Sequence, residues 1–316
     1  MRAIVYYDYG PPDRLVADVR PRPRATRGKA LIQVAAAGIN PIDARLREGQ
    51  MRGLLPGGFP RIPGYDVAGV IIEAPSGSEL SPGDRVLAFL QSYYGGGYAE
   101  YAACRPAGIA VIPDEMTMEE AAALPLAGCT ALQGLRDLGQ LQTGQSVLIN
   151  GASGGVGCFA VQIAAAAGAQ ITAVASGSKE GFVRELGASS FIDYQQVELT
   201  KSVQRWDLIF DVAGKLSFKQ ARPLLQPRGR FISTEPSFRS LLIRGWTAWQ
   251  AQKGKAFLAK SKRADLEELV RLYRNKTLQV VLDQVYPLSE AAAAHRHLEK
   301  GVDRGKLVLN CRQPQG

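Results

Sequence analysis

Up to about Pro113 the apolar positions come in short runs broken by turn residues. ALIQVAAAGI (30–39), VAGVII (67–72), RVLAFL (85–90) and YAEYAAC (98–104) read as strands, and PSGSELSPGD (75–84) carries Pro82, Gly83 and Asp84 at a turn. This part predicts a β-rich, barrel-like domain. From about Met118 the spacing becomes helical, in EEAAALPLAGCTALQGL. Strands and helices then alternate. SVLIN, ITAVAS, SSFID, WDLIFDVAG and GRFISTE are strands, with helices between them such as KEGFVRELGA, which ends on Gly187. Strands separated by such helices predict βαβ units and a parallel sheet. KAFLA (255–259) reads as a further strand or an amphipathic turn. After Ala264, DLEELVRLYRNK is a helix, and VVLDQVYPL and KLVLN return to strands with no obvious place in the wound sheet. They are expected to complete the first domain.

Composition narrows the picture. The chain has 316 residues and is 46% hydrophobic, enough for two ordinary cores. Its formal charge is +9. Apart from RPRPRATR (20–27) and Lys253–Arg263, the positive residues are scattered, which points to a solvated face rather than to a nucleic-acid stripe. Cys104, Cys129, Cys158 and Cys311 form no C-x-x-C pair, so reduced thiols are expected in place of a disulfide framework or a cysteine zinc site. MRAIVYYDYG lacks the long apolar core of a signal peptide, and no apolar run is long enough to span a bilayer. The expectation is a soluble, cytoplasmic protein without a membrane span.

The chemistry begins at SVLINGASGGVG (146–157), a strand emptying into a Gly-rich turn before the helical CFAVQIAAAAGA. Helix-start N–H groups lack intrahelical partners, and the helix dipole favours an anion there. In the dinucleotide pattern G-x-G-x-x-G, Ala152 takes the first place and Gly154 and Gly157 the others. The following strand ends in Ser176, Gly177, Ser178 and Lys179, with no Asp or Glu. A carboxylate there would favour the ribose 2′-hydroxyl of NADH, whereas hydroxyls and an ammonium suit the 2′-phosphate of NADPH. NADPH is the expected cofactor; the competing reading is a plain helix cap with Ser178 as N-cap and Lys179 solvated. Tyr194, ending the third strand, has a hydroxyl that could reach the same phosphate.

AAAGINPIDARLREG (35–49), FPRIPGYDVAGVI (59–71), SPGDRV (81–86), AALPLAGCTA (122–131), INGASGGVG (149–157) and YPLSEAAAAHRHLEKGVDRGKLVL (286–309) appear in this order. With these blocks the chain resembles the medium-chain dehydrogenase/reductase superfamily, and within it the zinc-free quinone oxidoreductases that include zeta-crystallin. The resemblance implies an α/β architecture: a GroES-like β-barrel domain (1–122 plus 264–316) into which a doubly wound Rossmann NADPH-binding domain (123–263) is inserted, with the active site in the cleft between them. Zinc-dependent members carry a Cys in the segment matching GINPID and a His-Glu pair in that matching GYDVAG. Here those positions hold Asn40, Tyr65 and Asp66, and the third ligand position falls near Leu126, so no metal is expected. Cys129 reads as a small buried hydrophobe, and His295 and His297 as packing and surface residues.

Carried over by resemblance, Asn40 meets the nicotinamide ribose, and Ala152, Ser153, Gly154, Gly155, Val156 and Gly157 form the pyrophosphate turn. Ser176, Lys179 and Tyr194 meet the 2′-phosphate. Ala213, Gly214 and Ser233 face the nicotinamide from the ends of later strands. Gly305 and Lys306 match a cofactor or cleft contact. The implied reaction is NADPH-dependent hydride transfer, without zinc, to a quinone or an α,β-unsaturated carbonyl. Asn40 and Tyr65 are the candidate catalytic residues, Tyr65 as donor to the acceptor oxygen or as an apolar wall. Arg45 and Met51 stand where some quinone-reducing relatives have tyrosine, and Tyr93–Gly97 reads as a flap or a plain loop. Two other functions stay open: an enoyl-thioester reductase in lipid or polyketide metabolism, and a non-catalytic NADPH- or RNA-binding protein. A homodimer is implied by the resemblance alone.

Overall fold

The computed structural model describes residues 1–26, 28–53, 56–235 and 252–312; Arg27, the end of the RPRPRATR run, lies outside them. The chain divides into two compact units, one of Met1–Ala127, Ser261–Asn275 and Val280–Gly316, the other of Gly128–Lys260 and Lys276–Gln279.

The first unit begins with the antiparallel pair β1 (Arg2–Val5) and β2 (Val16–Val19). Then come β3 (Ala30–Gly38), β4 (Asp66–Glu73), β5 (Arg85–Phe89), β6 (Tyr101–Cys104) and β7 (Ile109–Val111). The helix Pro41–Glu48 follows β3 directly; its N-cap Asn40 and Asp43 form a reciprocal capping box, and Gly49 ends it at φ +85°.

The second unit holds β8 (Ser146–Asn150), β9 (Gln170–Ala175), β10 (Ser190–Asp193), β11 (Trp206–Asp211), β12 (Leu225–Ser233) and β13 (Lys253–Ala256). They lie in the order β10-β9-β8-β11-β12-β13, every neighbouring pair parallel. This is the doubly wound dinucleotide order, in which the direction of winding reverses between β8 and β11. Val147, Leu148 and Ile149 are fully buried, as expected of a central parallel strand covered on both faces. The KAFLA stretch is a strand displaced toward its N-terminal side: β13 runs Lys253–Ala256 and pairs with β12.

The chain then supplies β14 (Leu282–Pro287) and β15 (Lys306–Asn310) to the first unit. β15 pairs antiparallel with β3, giving a seven-stranded sheet β14-β15-β3-β4-β5-β7 with β6 also on β3. The helix read over 119–135 is two helices, Met118–Ala123 and Pro125–Leu132, followed by a wider-turned segment Gln133–Leu138. Pro125 has no N–H to continue the first helix. No helix among the described residues is long and apolar enough to cross a membrane.

Candidate active site

Two clusters collect the residues singled out above. In the second unit, β8 ends at Asn150 and the chain turns through Gly151 (φ +89°) into the helix Gly155–Ala166. The N-cap, Gly154, has no capping side chain, and the first helical bond is Cys158 N–H to Gly154 O at 2.9 Å. The amides of Gly155, Val156 and Gly157 precede that bond and point toward the helix start. The glycines differ in what they do. A Cβ on Gly157 would lie 2.0 Å from Gly151 O, so this glycine is required for the helix to approach the strand. On Gly154 it would meet only Gly151 O at 3.6 Å. Packing does not require glycine at 154; the space beside it is open to a ligand.

Ala152 is fully buried with its N–H on Val174 O, which suits a small side chain at the first place of the pattern. Ser153 is half-buried on the turn. Across the switch point, Ala213 N donates to Asn150 O at 3.1 Å, and Gly214 sits at φ +65°. Ser233, level with Asp211 in register, is buried and accepts Glu235 N–H at 3.1 Å. Ser176 opens the turn after β9, its hydroxyl 3.5 Å from that of Ser178, and Lys179 lies half-buried on the same turn. The N-cap position considered for Ser178 is held by Ser176, whose side chain makes no capping bond. Tyr194 is 59% exposed just past β10.

The first unit contains the other cluster. Asn40 is buried, and both ends of its amide are engaged: Nδ2 donates to Asp66 Oδ2 at 2.8 Å, and Oδ1 accepts from Lys306 Nζ. Lys306 is itself buried and also donates to Ile39 O at 2.8 Å. Its ammonium thus points into the protein, so it meets Asn40 directly. Asp66 Oδ1 accepts the Leu126 N–H at 2.9 Å. Asp43 accepts Asn40 N–H and Gly64 N–H, and Tyr98 donates to it at 3.4 Å. The Tyr98 hydroxyl also bonds His295 Nε2 at 3.1 Å. Burial pushes Asp43 up to about 7 and Asp66 to about 6, and drives His295 down to about 3 with the Arg47 guanidinium adding to the effect. Tyr65, half-buried, donates its hydroxyl to Tyr93 O at 2.6 Å; burial pushes its phenol well above its usual value. Asp43 and Tyr98 were missed in the sequence reading. The spacing Asn40-x-x-Asp43 was the available signal for the first.

Residues 26–114 match the alcohol dehydrogenase GroES-like domain, and residues 186–309 match the family described as zinc-binding dehydrogenase. A chloroplastic quinone-oxidoreductase homolog of Spinacia oleracea is 32% identical over 324 residues, covering 98% of both chains. An NADPH-dependent alkenal/one oxidoreductase of Arabidopsis thaliana is 31% identical, covering 98% of this chain and 79% of its own. Among solved structures, the quinone oxidoreductase of Coxiella burnetii superposes with TM-score 0.90 at 30% identity, covering 99% of each chain.

The chain belongs to the quinone oxidoreductase branch of the medium-chain dehydrogenase/reductase superfamily. Like its relatives, this quinone oxidoreductase homologue is an oxidoreductase built on a GroES-like domain and a parallel dinucleotide-binding sheet. A catalytic zinc does not fit the residues present. The corresponding positions offer an amide held by Asp66 and Lys306, a phenol bonded to a carbonyl, and at Leu126 a backbone N–H aimed at Asp66. Zinc sites are built from thiolate, imidazole and carboxylate, and a lone carboxylate already holding two N–H groups cannot supply one. A dinucleotide does fit: main-chain amides converge on an open space beside Gly154 at the switch point of the sheet. His297 bridges Tyr286 and Asp283, and Cys129 is fully buried.

Proposed function

We propose that this oxidoreductase uses NADPH to reduce quinones or α,β-unsaturated carbonyls by direct hydride transfer, without zinc. The observation that carries this reading is the hydrogen-bonded set Asn40–Asp66–Lys306: at two of the metal-ligand positions of zinc-dependent relatives, Asn40 and Asp66 orient each other, and Lys306 holds Asn40 in place. Lacking a Lewis acid to polarise an alcohol or a simple ketone, the site suits an acceptor already electrophilic at carbon.

Bound NADPH supplies the hydride. The amides of Gly155, Val156 and Gly157, with Ala152, Ser153 and Gly154, hold its pyrophosphate, while Ser176, Lys179 and Tyr194 receive the 2′-phosphate. Ala213, Gly214 and Ser233 flank the nicotinamide. Asn40 takes the nicotinamide ribose; Lys306 acts through Asn40 as a positioning residue. Negative charge growing on the acceptor oxygen needs a donor. Tyr65 fills that role when its O–H exchanges Tyr93 O for the acceptor oxygen. The four cysteines are buried and outside any disulfide, which suits a reducing compartment such as the cytoplasm. A homodimer is expected, and sedimentation measures it.

The test is a panel of 1,4-benzoquinone, 9,10-phenanthrenequinone, an alkenal and a crotonyl thioester, each mixed with enzyme and NADPH while nicotinamide absorbance is followed. Turnover of quinone or alkenal supports the reading. Turnover of the thioester alone transfers it to an enoyl-thioester reductase.

A further inference from the structure

The turn after β9 has no acidic residue of its own, yet the fold brings one to it. β10 lies parallel to β9 with Asp193 level with Ala175, the last residue of β9. The Asp193 carboxylate leans over the turn: a Cβ built on Gly177 would lie 2.6 Å from Oδ2 and 3.4 Å from Cγ. A larger residue at 177 would push the carboxylate aside from this place. Oδ1 is occupied, accepting Gln195 N–H at 2.9 Å. Oδ2 takes up no hydrogen bond among the described residues and faces the turn that carries the Ser176 and Ser178 hydroxyls.

A turn that presents hydroxyls, an ammonium and a carboxylate together can serve two ligands. The donors suit a 2′-phosphate. The carboxylate accepts from a ribose 2′-hydroxyl and repels a phosphate. We propose that Asp193 is the residue that sets cofactor discrimination, accepting the 2′-hydroxyl of NADH and holding down the preference for NADPH, so that the enzyme turns over both. This rests on the reading that the Ser176–Lys179 turn receives the adenosine ribose. One unit charge near a phosphate at a half-exposed site corresponds to about a tenfold change in affinity.

Asp193→Asn tests it, because the amide oxygen still accepts the Gln195 N–H while the charge is lost. The probes are 5′-AMP and 2′,5′-ADP, titrated calorimetrically into nucleotide-free enzyme, alongside kcat/KM for NADH and NADPH with one quinone. The expected result is 2′,5′-ADP binding about tenfold tighter, 5′-AMP binding several-fold weaker, and the NADPH/NADH ratio rising in step. Unchanged affinities, or equal shifts for both nucleotides with an unaltered melting temperature, overturn the proposal. Lys179→Ala separates the two readings. It should weaken 2′,5′-ADP and spare 5′-AMP, and equal losses for both would mean that the cradle assignment itself has failed.

Discussion

At the turn after β8 the groups offered to a ligand are main-chain amides, and no side chain from Gly151 to Gly157 is larger than valine. Around Asn40 the reverse holds: an amide, two carboxylates and an ammonium, all buried, grip one another. The first cluster depends on what is left out, since a Cβ in the wrong place fills it. The second depends on every member being present, since a buried polar group that loses its partner costs more than the bond was worth. The same contrast predicts opposite responses to mutation.

The largest effect is expected at Gly157, where Gly157→Ala drives a Cβ into Gly151 O at 2.0 Å, a backbone atom that cannot step aside. Overpacking of this kind costs roughly 3 kcal/mol or more, with NADPH binding lost as the helix start shifts. Gly154→Ala should fold like the wild type, because its Cβ has 3.6 Å to the nearest atom, and lose only cofactor affinity. Melting curves and nucleotide titrations on the pair check this. Equal melting temperatures for both variants would contradict the division of labour between the two glycines.

In the Asn40 cluster the corresponding loss comes from removal. Lys306→Met leaves Asn40 Oδ1 and the Ile39 carbonyl without their buried donor and Asp66 without its nearby cation. About 3 kcal/mol of stability should disappear in urea unfolding. The double variant Lys306→Met/Asp66→Asn should recover part of it, as removing both members of a buried charged set is cheaper than removing one. A double variant less stable than the single one would mean that the two residues do not act as a set.

These two clusters were unequally legible in the amino-acid sequence. The glycine turn could be read because its chemistry is local: strand, turn and helix follow one another, and the amides need no partner from elsewhere. Asn40 and Lys306 are 266 residues apart, and Tyr98 and His295 are 197 apart, so no spacing in the chain announces either contact. Lys306 read as a cofactor or cleft contact, and its bonds to Asn40 and Ile39 could not be read from the chain. Asp193 escaped for a related reason. Inspection of the end of β9 finds no acid, and the carboxylate arrives from the neighbouring strand through the register Asp193↔Ala175. His295 read correctly as a packing residue, although its bond to Tyr98 did not.

pH sharpens the comparison further, because burial shifts the carboxylates of the Asn40 cluster and the neighbouring His295. Burial raises Asp43 from its ordinary 3.8 to about 7, so the folded protein holds that proton more tightly than the unfolded chain. Its contribution to stability is full below pH 3.8 and lost as pH rises through about 7. His295 acts in the opposite direction: lowered from 6.5 to about 3, it contributes above 6.5 and is lost as pH falls toward 3. Asp43→Asn should flatten the melting-temperature profile on the neutral side, leaving the smaller slope from Asp66. His295→Gln should lessen the loss on the acid side. Profiles identical to the wild type would mean that neither group titrates with folding.

The smallest effect is expected at Tyr65. Its hydroxyl serves Tyr93 O in the resting protein, so Tyr65→Phe frees the 93–97 loop and removes one donor without unfolding anything. A fall in kcat/KM of up to about tenfold with a quinone is expected, carried by kcat. An unchanged kcat/KM would assign Tyr65 to the loop alone.

The most direct test of the whole account is NADPH consumption with 9,10-phenanthrenequinone by enzyme dialysed against a strong zinc chelator. Turnover should be undiminished by the chelator and abolished in the Gly157→Ala variant. Activity that vanishes on chelation and returns with zinc, or no turnover of any quinone or alkenal alongside salt-sensitive RNA binding, would contradict it.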